Sequence, residues 1–393
     1  MTEKIKTVTA RPILDSRGDW TLEAEIILEN GLGARASVPQ GKSRGGGEAV
    51  DQPVAVGLEK IKTVIAPALL GRKVAAQTEL DQRLLELDGT TNKAQLGVDA
   101  ILAVSLAAAR LGALVKNLPL WRYLRELFNE KVDPNKPPQL LINLLNGGQH
   151  SGGNLPFQEY LIIPQTKNLL SAVELGQKFY QALAKLLTER FGRGAIKLGD
   201  EGGFAPDLAD DEAPFSLFAE VAERLNVSDQ FTFGLDAAAN NLSRDREKLS
   251  RFYQKVAARY PLQYLEDPFA ETAPDAFRQL NQIIGSKTII VGDDLTVTNP
   301  AKITDPQLAG AITGVIIKPN QIGTLTETFA AIRATRKNGW RVFVSHRSGE
   351  TNDDFIADLA YGIGADGIKL GAPARGERVA KYNRLLAIAA EDQ

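Results

Sequence analysis

Asp236, Glu266, Asp293, Lys318, His346 and Lys369 follow one another at intervals of 30, 27, 25, 28 and 23 residues. Each stands at the end of a short apolar run, as in FTFGLD, LQYLE, TIIVGD and GVIIK. A single acidic or basic residue after a strand is ordinarily a turn or cap residue, and Asp267 and Asp294 have that plain reading. The series is harder to dismiss, because each interval is about one strand-plus-helix unit. All six side chains then reach the same rim of neighbouring strands, where barrel enzymes assemble their sites. Three carboxylates on successive strands repel one another unless a cation lies among them. A set of oxygen ligands without cysteine favours Mg²⁺ over zinc. Two lysines on later strands then face that metal. Nearby positive charge should lower a lysine pKa and leave a neutral amine that can act as a base. Acid ligands, metal and basic lysine together point to removal of a proton beside a carboxylate, with the metal holding the developing dianion.

The elements that must position these residues are legible as well. Strands are expected over 139–145, 157–164, 231–237, 262–268, 288–294, 314–320, 341–347 and 367–373. The first two adjoin without a helix, and helical stretches at Asn168–Phe191 and Asp211–Leu225 follow in succession. Strand and helix then alternate, which argues for a closed (β/α)8 barrel of the α/β class. Before it, TLEAEIILEN alternates as a half-buried strand should, and Asn30-Gly31 suggests a hairpin into ARASV. Two or three helices are expected between Asp51 and Leu127. The run Asp133-Pro134-Asn135-Lys136-Pro137-Pro138 cannot continue a helix and reads as a linker. The expected division is an α+β domain over 1–132 and a barrel over 137–393.

Composition narrows the function classes. With 393 residues, 46 Lys+Arg against 48 Asp+Glu and a net charge of −2, nothing favours nucleic acid or an anionic membrane as partner. No cysteine means no disulfide, thiolate nucleophile or Fe–S cluster, and fits a reducing, cytoplasmic setting. The N-terminus lacks the apolar core of a signal peptide. The apolar stretch Gly97–Val115 carries Asp99 and Arg110 and reads as a buried helix rather than a membrane span. Two phosphate-loop imitations fail. Gly41-Lys42-Ser43 lacks the earlier glycine of a Walker loop, with Ala36 in its place. Gly31-Leu32-Gly33-Ala34-Arg35-Ala36 runs into Ser37-Val38-Pro39 instead of opening a helix. The segment Gly41–Gly47 reads as a mobile loop, either lid or plain connection.

Longer motifs carry a family resemblance from end to end. ARPILDSRGD, DGTTNKAQLGVDAILAVSLAAAR, LLNGGQHSGG, GDEGGFAP, YLEDPF, VGDDLTVTNP, VSHRSGETNDDFIADLA and IKLGAPARGERVAKYNRLL together resemble the enolases. The resemblance implies a modified TIM-type (β/α)8 barrel that opens with two strands and two helices, capped by the N-terminal α+β domain. It implies two Mg²⁺ ions. Asp236, Glu266 and Asp293 would ligate the first, and Ser43 in the glycine-rich loop would help bind the second as the loop closes. Lys318 would be the base that takes the C2 proton of 2-phosphoglycerate. Glu201 would be the acid that helps the C3 hydroxyl leave, with Glu159 beside it. Lys369 would hold the substrate carboxylate, and Arg347 and Ser348 the phosphate, where a planar guanidinium gives two parallel bonds. His150 and His346 would line the pocket. The products would be phosphoenolpyruvate and water, and the assembly at least a homodimer.

Plainer readings stand beside these. Glu201 among glycines could be a turn residue, and a loop histidine such as His150 is often mere surface. Glu159 reads as mid-strand, where an inward carboxylate is costly unless used. The helices at 97–115 and 375–389 read as scaffold. The chain also departs from the family pattern. Its first loop reads Pro39-Gln40-Gly41-Lys42-Ser43-Arg44-Gly45 where PSGASTG is usual, Leu370 replaces a small polar residue, and Asn240-Asn241 replaces a polar or acidic run. A dehydratase of a related hydroxy acid, or a binding protein without the chemistry, are the alternatives these changes leave open.

Overall fold

The computed structural model describes residues 3–42, 45–133 and 136–392. Strands β1 (Ile5–Leu14), β2 (Trp20–Leu28) and β3 (Gly33–Ser37) form an antiparallel sheet in that order. The β2–β3 hairpin turns at the expected Asn30-Gly31, where Asn30 Oδ1 accepts the Leu32 N–H at 3.0 Å and Gly31 takes φ 85°. Strand β1 escapes the sequence reading because its apolar residues do not alternate. The pairing with β2 shifts register between Ile5 and Thr7, so the period of two is broken at the strand's start.

Helix Val98–Val115 packs across β2 and β3. It is long and apolar enough to cross a membrane by length and composition, yet 83% of it is buried inside the protein, as the sequence predicts. Its Arg110 leaves the apolar face to pair with Asp353 (2.6 Å) and Asp354 (2.8 Å) of the barrel half. Burial raises the Asp353 carboxyl's pKa, but the Arg110 guanidinium outweighs it and holds the group below its ordinary range. The expected linker is described only in part, since residues 134 and 135 lie outside the described residues.

Eight strands close the barrel: β4 (Gln139–Asn146), β5 (Glu159–Pro164), β6 (Phe231–Asp236), β7 (Leu262–Glu266), β8 (Ile289–Gly292), β9 (Gly314–Ile317), β10 (Arg341–Ser345) and β11 (Gly367–Gly371). They lie in sequence order around the ring, and β11 pairs with β4. All neighbours are parallel except β4–β5 and β5–β6. The connection from β4 to β5 contains no crossover helix, and an antiparallel pair is what a connection of that kind allows. Helices Leu169–Phe191 and Ala213–Arg224 then follow before β6. Asn168 caps the first of these, its side chain accepting the Ser171 N–H.

The barrel's filling decides which residues reach its mouth. Leu141, Leu161, Ile163, Tyr264, Val291, Ile316 and Phe343 pack together inside it. Side chains alternate along a strand, so the residue two steps toward the rim points the same way. Two steps on from Leu141, Tyr264, Val291 and Ile316 stand Asn143, Glu266, Asp293 and Lys318. On antiparallel β5 the count runs backward, from Leu161 to Glu159. Glu159 is therefore not mid-strand, as the sequence suggests, but the first residue of β5, and it pairs with Asp236. Leu370 is buried in the outer apolar shell, the alternation having turned its neighbour Lys369 inward.

Candidate active site

Lys369 sits at the centre of the mouth. Its Nζ donates to Glu266 Oε2 (2.7 Å), Glu159 Oε1 (3.0 Å) and Asp236 Oδ2 (3.0 Å). All four side chains are buried. Burial works against its charge, but Asp236, Glu159 and Glu266 together raise its pKa well above the ordinary lysine value. Gln158 Nε2 donates to the same Asp236 oxygen at 3.1 Å. Tyr264 hydrogen-bonds Glu266 from the layer beneath.

Lys318 forms a second pair, with Asp293. Burial disfavours its charge, but Asp293 more than compensates, and its pKa lies above the ordinary lysine value. Without a cation in place Asp293 thus favours the charged form of Lys318; the neutral amine expected from the sequence belongs to the site with its metal. Asp293 is correspondingly held low, the Lys318 charge and hydrogen bond outweighing burial. Gln321 Nε2 donates to the other Asp293 oxygen at 2.9 Å. Thr298 supports both groups, accepting the Lys318 N–H at 2.9 Å and donating to Gln321 Oε1 at 2.6 Å. Val297 and Thr298 have φ 43° and 53°, in the left-handed region that β-branched residues avoid. Such a turn costs about 1–3 kcal/mol per residue.

Beside this pair lie Asp267 and Asp294. Asp267 accepts the backbone N–H groups of Asp293 (3.0 Å) and Asp294 (2.8 Å), so it shapes the tip of β8. Burial and then Asp293 push the Asp294 carboxyl up to about 7. Burial followed by Asp236 pushes Glu266 up to about 8.

Across the mouth, Glu201 Oε2 accepts from Asn143 Nδ2 at 2.8 Å. Glu201 Oε1 lies 3.6 Å from His346 Nε2. Burial drives the His346 pKa well below its ordinary value, so the ring is neutral. Arg347 lies next to it, its Nη1 and Nη2 each 3.1 Å from Glu48 Oε2. Gln40 and Lys42 also border this edge of the mouth. Gln40 and Gly349 exchange backbone hydrogen bonds. The Lys42 N–H donates to Ser348 Oγ at 3.0 Å, and Lys42 Nζ donates to the Gln149 carbonyl at 2.6 Å. Gly46 N–H reaches Glu271 at 3.1 Å. Asn240, one of the departures from the usual pattern, donates to Asp294 Oδ2 at 2.8 Å and accepts the Glu271 N–H at 2.9 Å.

The structure thus gathers Glu159, Glu201, Asp236, Asp293, Lys318, His346, Arg347, Ser348 and Lys369 around one cavity, with Glu266 joined to it through Lys369. Ser43 and Arg44 lie outside the described residues. So does the side chain of His150, whose backbone forms the turn at 148–150. Among the described residues, two trios offer ligand atoms within 4.8 Å of one another: Asp267 with Asp293 and Asp294, and Glu159 with Glu201 and His346. Neither is the expected trio of Asp236, Glu266 and Asp293, whose members are instead held by the two lysines.

A cation suits this donor set. Seven carboxylates are buried at the mouth (Glu159, Glu201, Asp236, Glu266, Asp267, Asp293 and Asp294). Among the described residues, Lys318, Lys369 and Arg347 line it with positive charge. Glu159 Oε2 and Glu266 Oε1 are buried without a hydrogen-bond partner among the described residues, a costly arrangement for an acceptor. The sequence reading missed Glu48, Asn143, Gln158, Thr298 and Gln321. Asn143 carries a usable signal, a polar residue inside the apolar run QLLINLL. The others lie in loops or beside the strand, where no periodicity marks them.

Comparison with known proteins agrees with this architecture along the whole chain. A family model described as the enolase N-terminal domain matches residues 5–124. A second, the enolase C-terminal TIM barrel domain, matches residues 136–248 and 240–392. Enolase of Methanocaldococcus jannaschii is 39% identical over 411 residues, covering 99% of this chain and 95% of its own. Enolase of Acidothermus cellulolyticus is 42% identical, covering 98% and 94%. Enolase B of Dictyostelium discoideum is 37% identical, covering 98% and 95%. The barrel with its antiparallel second strand, the acid-and-lysine mouth and these full-length matches together place the chain in the enolase family, the lyases that dehydrate 2-phosphoglycerate to phosphoenolpyruvate.

Proposed function

We propose that Lys318 and Glu201 divide the dehydration between them, Lys318 as base and Glu201 as acid. The observation that carries this reading is that both line one cavity, together with the buried carboxylates and Lys369. Lys318 Nζ takes the proton from C2, and the electron pair of that C–H bond is delocalised into the adjoining carboxylate. The pair then forms the C2–C3 double bond as the C3–O bond breaks. The departing hydroxyl takes the proton held on Glu201 and leaves as water. Glu159 is buried beside Glu201, and burial followed by the nearness of that second carboxyl group raises its pKa well above the ordinary range, so the two carboxyls retain a proton between them that Glu201 can deliver. Lys369 and His346 orient the substrate carboxylate end and its surroundings, with His150 completing the pocket. Arg347 and Ser348 hold the phosphate, the guanidinium exchanging Glu48 for it.

Asp236, Glu266 and Asp293 would hold a divalent cation, with Ser43 serving a second. Oxygen-only ligands favour Mg²⁺, whose charge when bound stabilises the substrate dianion and competes with Lys318 for Asp293. We further propose that residues 1–132 act as a capping domain and 137–393 as the catalytic barrel, that the chain works as at least a homodimer, and that it is cytoplasmic.

The direct test follows phosphoenolpyruvate by its ultraviolet absorbance. With Mg²⁺ and 2-phosphoglycerate the signal should rise, and EDTA should stop it. No turnover with any divalent metal would refute the reading. A second expectation concerns the loop. A Cβ on Gly41 would lie 1.7 Å from Arg347 Nη2. Gly41→Ala should therefore displace the guanidinium and lower kcat/KM by about 10²-fold. Steady-state kinetics with an unchanged melting temperature would show it. An unaltered KM and kcat would mean that the loop and Arg347 do not meet during turnover.

A further inference from the structure

The helix Gly376–Glu391 closes the chain behind the barrel, and one of its first residues reaches into the site. Arg378 is completely buried. Its Nη1 lies 2.6 Å from His346 Nδ1 and donates to the Arg347 carbonyl, also at 2.6 Å. Its Nη2 donates to the carbonyls of Ser348 (2.7 Å) and Asp200 (3.3 Å). One guanidinium thus joins the ring of His346, the backbone of the two residues assigned to the phosphate, and the residue preceding Glu201. Helix scaffold alone does not need this. A buried cation is expensive, and the acidic group nearest to it is Glu377, at 3.6 Å from Nε.

The contact with His346 has a chemical consequence. Arginine has donors and no acceptor, and it does not deprotonate in proteins. A nitrogen 2.6 Å from its Nη1 must therefore present a lone pair. His346 Nδ1 is that acceptor, so in the neutral ring the hydrogen sits on Nε2. Nε2 is the atom that faces Glu201 Oε1. We propose that Arg378 is a positioning residue that fixes His346 in the Nε2–H tautomer, its hydrogen facing Glu201 Oε1 across 3.6 Å, and that holds the Asp200-Glu201 loop in register with the Arg347-Ser348 tip. Its kinetic consequence rests on the assignment of Glu201 as the acid, whereas the tautomer does not.

The tautomer can be read without any activity. The chain has only two histidines, so nitrogen-15 labelling of histidine gives two ring systems, and His150→Asn assigns them. In the full-length wild-type protein the His346 spectrum should show a protonated Nε2 and an unprotonated Nδ1. A proton on Nδ1 would overturn the proposal outright, whatever the enzyme turns over. Arg378→Met removes the donor while keeping much of the bulk. It should give a mixed or reversed His346 tautomer and lower kcat by about 10–100-fold, the range for lost supporting hydrogen bonds, with KM changed far less. Arg378→Lys restores a donor and should recover part of both. Should Arg378→Met fail to fold, the wild-type spectrum and Arg378→Lys decide the matter. A folded Arg378→Met that keeps the wild-type tautomer and kcat would refute the positioning role and leave the assignment of Lys318 and Glu201 standing.

Discussion

Lys318→Ala should lower kcat by about 10⁴-fold, the upper range for loss of a general base. Exchange of the substrate C2 proton with solvent should disappear with it. The side chain is the basic group at the end of β9, two residues beyond Ile316 in the barrel filling, and it is held against Asp293. Alanine removes the proton acceptor and leaves Asp293 with Gln321 as a neutral partner. The substitution also removes a buried counter-charge, so stability has to be followed beside activity. Nuclear magnetic resonance of 2-phosphoglycerate in deuterium oxide measures exchange directly, and a melting curve separates chemistry from folding. A folded variant that keeps kcat within tenfold of wild type would remove Lys318 from the mechanism.

Glu201→Gln should separate the two halves of the reaction. Glutamine keeps the shape and can still meet Asn143, but it has no acid proton to give. Phosphoenolpyruvate formation should fall by about 10³-fold, while C2 exchange persists at a rate within a few-fold of wild type, because Lys318 is untouched. The split is the diagnostic result. If exchange and elimination fell equally, Glu201 would be acting on the first step or on binding, and the division of labour would be wrong. Glu159 gives a natural comparison, since it shares the cluster with His346 and Glu201 but is bound to Lys369.

Much of the site could be read along the chain because a barrel converts sequence spacing into spatial neighbourhood. Asp236, Glu266, Asp293, Lys318, His346 and Lys369 stand at strand ends, and strands that succeed one another in sequence are neighbours in the closed ring. Glu159 needed the structure, because its place at the rim depends on β5 running against its neighbours. Glu48 and Thr298 lie in irregular segments, where nothing repeats. Strand β1 was hidden by a register shift. Arg378 was concealed differently: on a helix that reads as scaffold, a buried arginine looks like any other surface-facing charge until its neighbours are known.

The chain alone determined the fold class, the order of strands and the series of ionisable residues at the strand ends, because periodicity and strand-end spacing are local properties. Only the tertiary structure shows that Lys318 meets Asp293, that Arg378 meets His346 and that Arg347 meets Glu48. Each of those depends on which dipoles and charges meet at a few ångströms after residues far apart in sequence are buried together. In low-dielectric surroundings such encounters outweigh the intrinsic preference of any side chain.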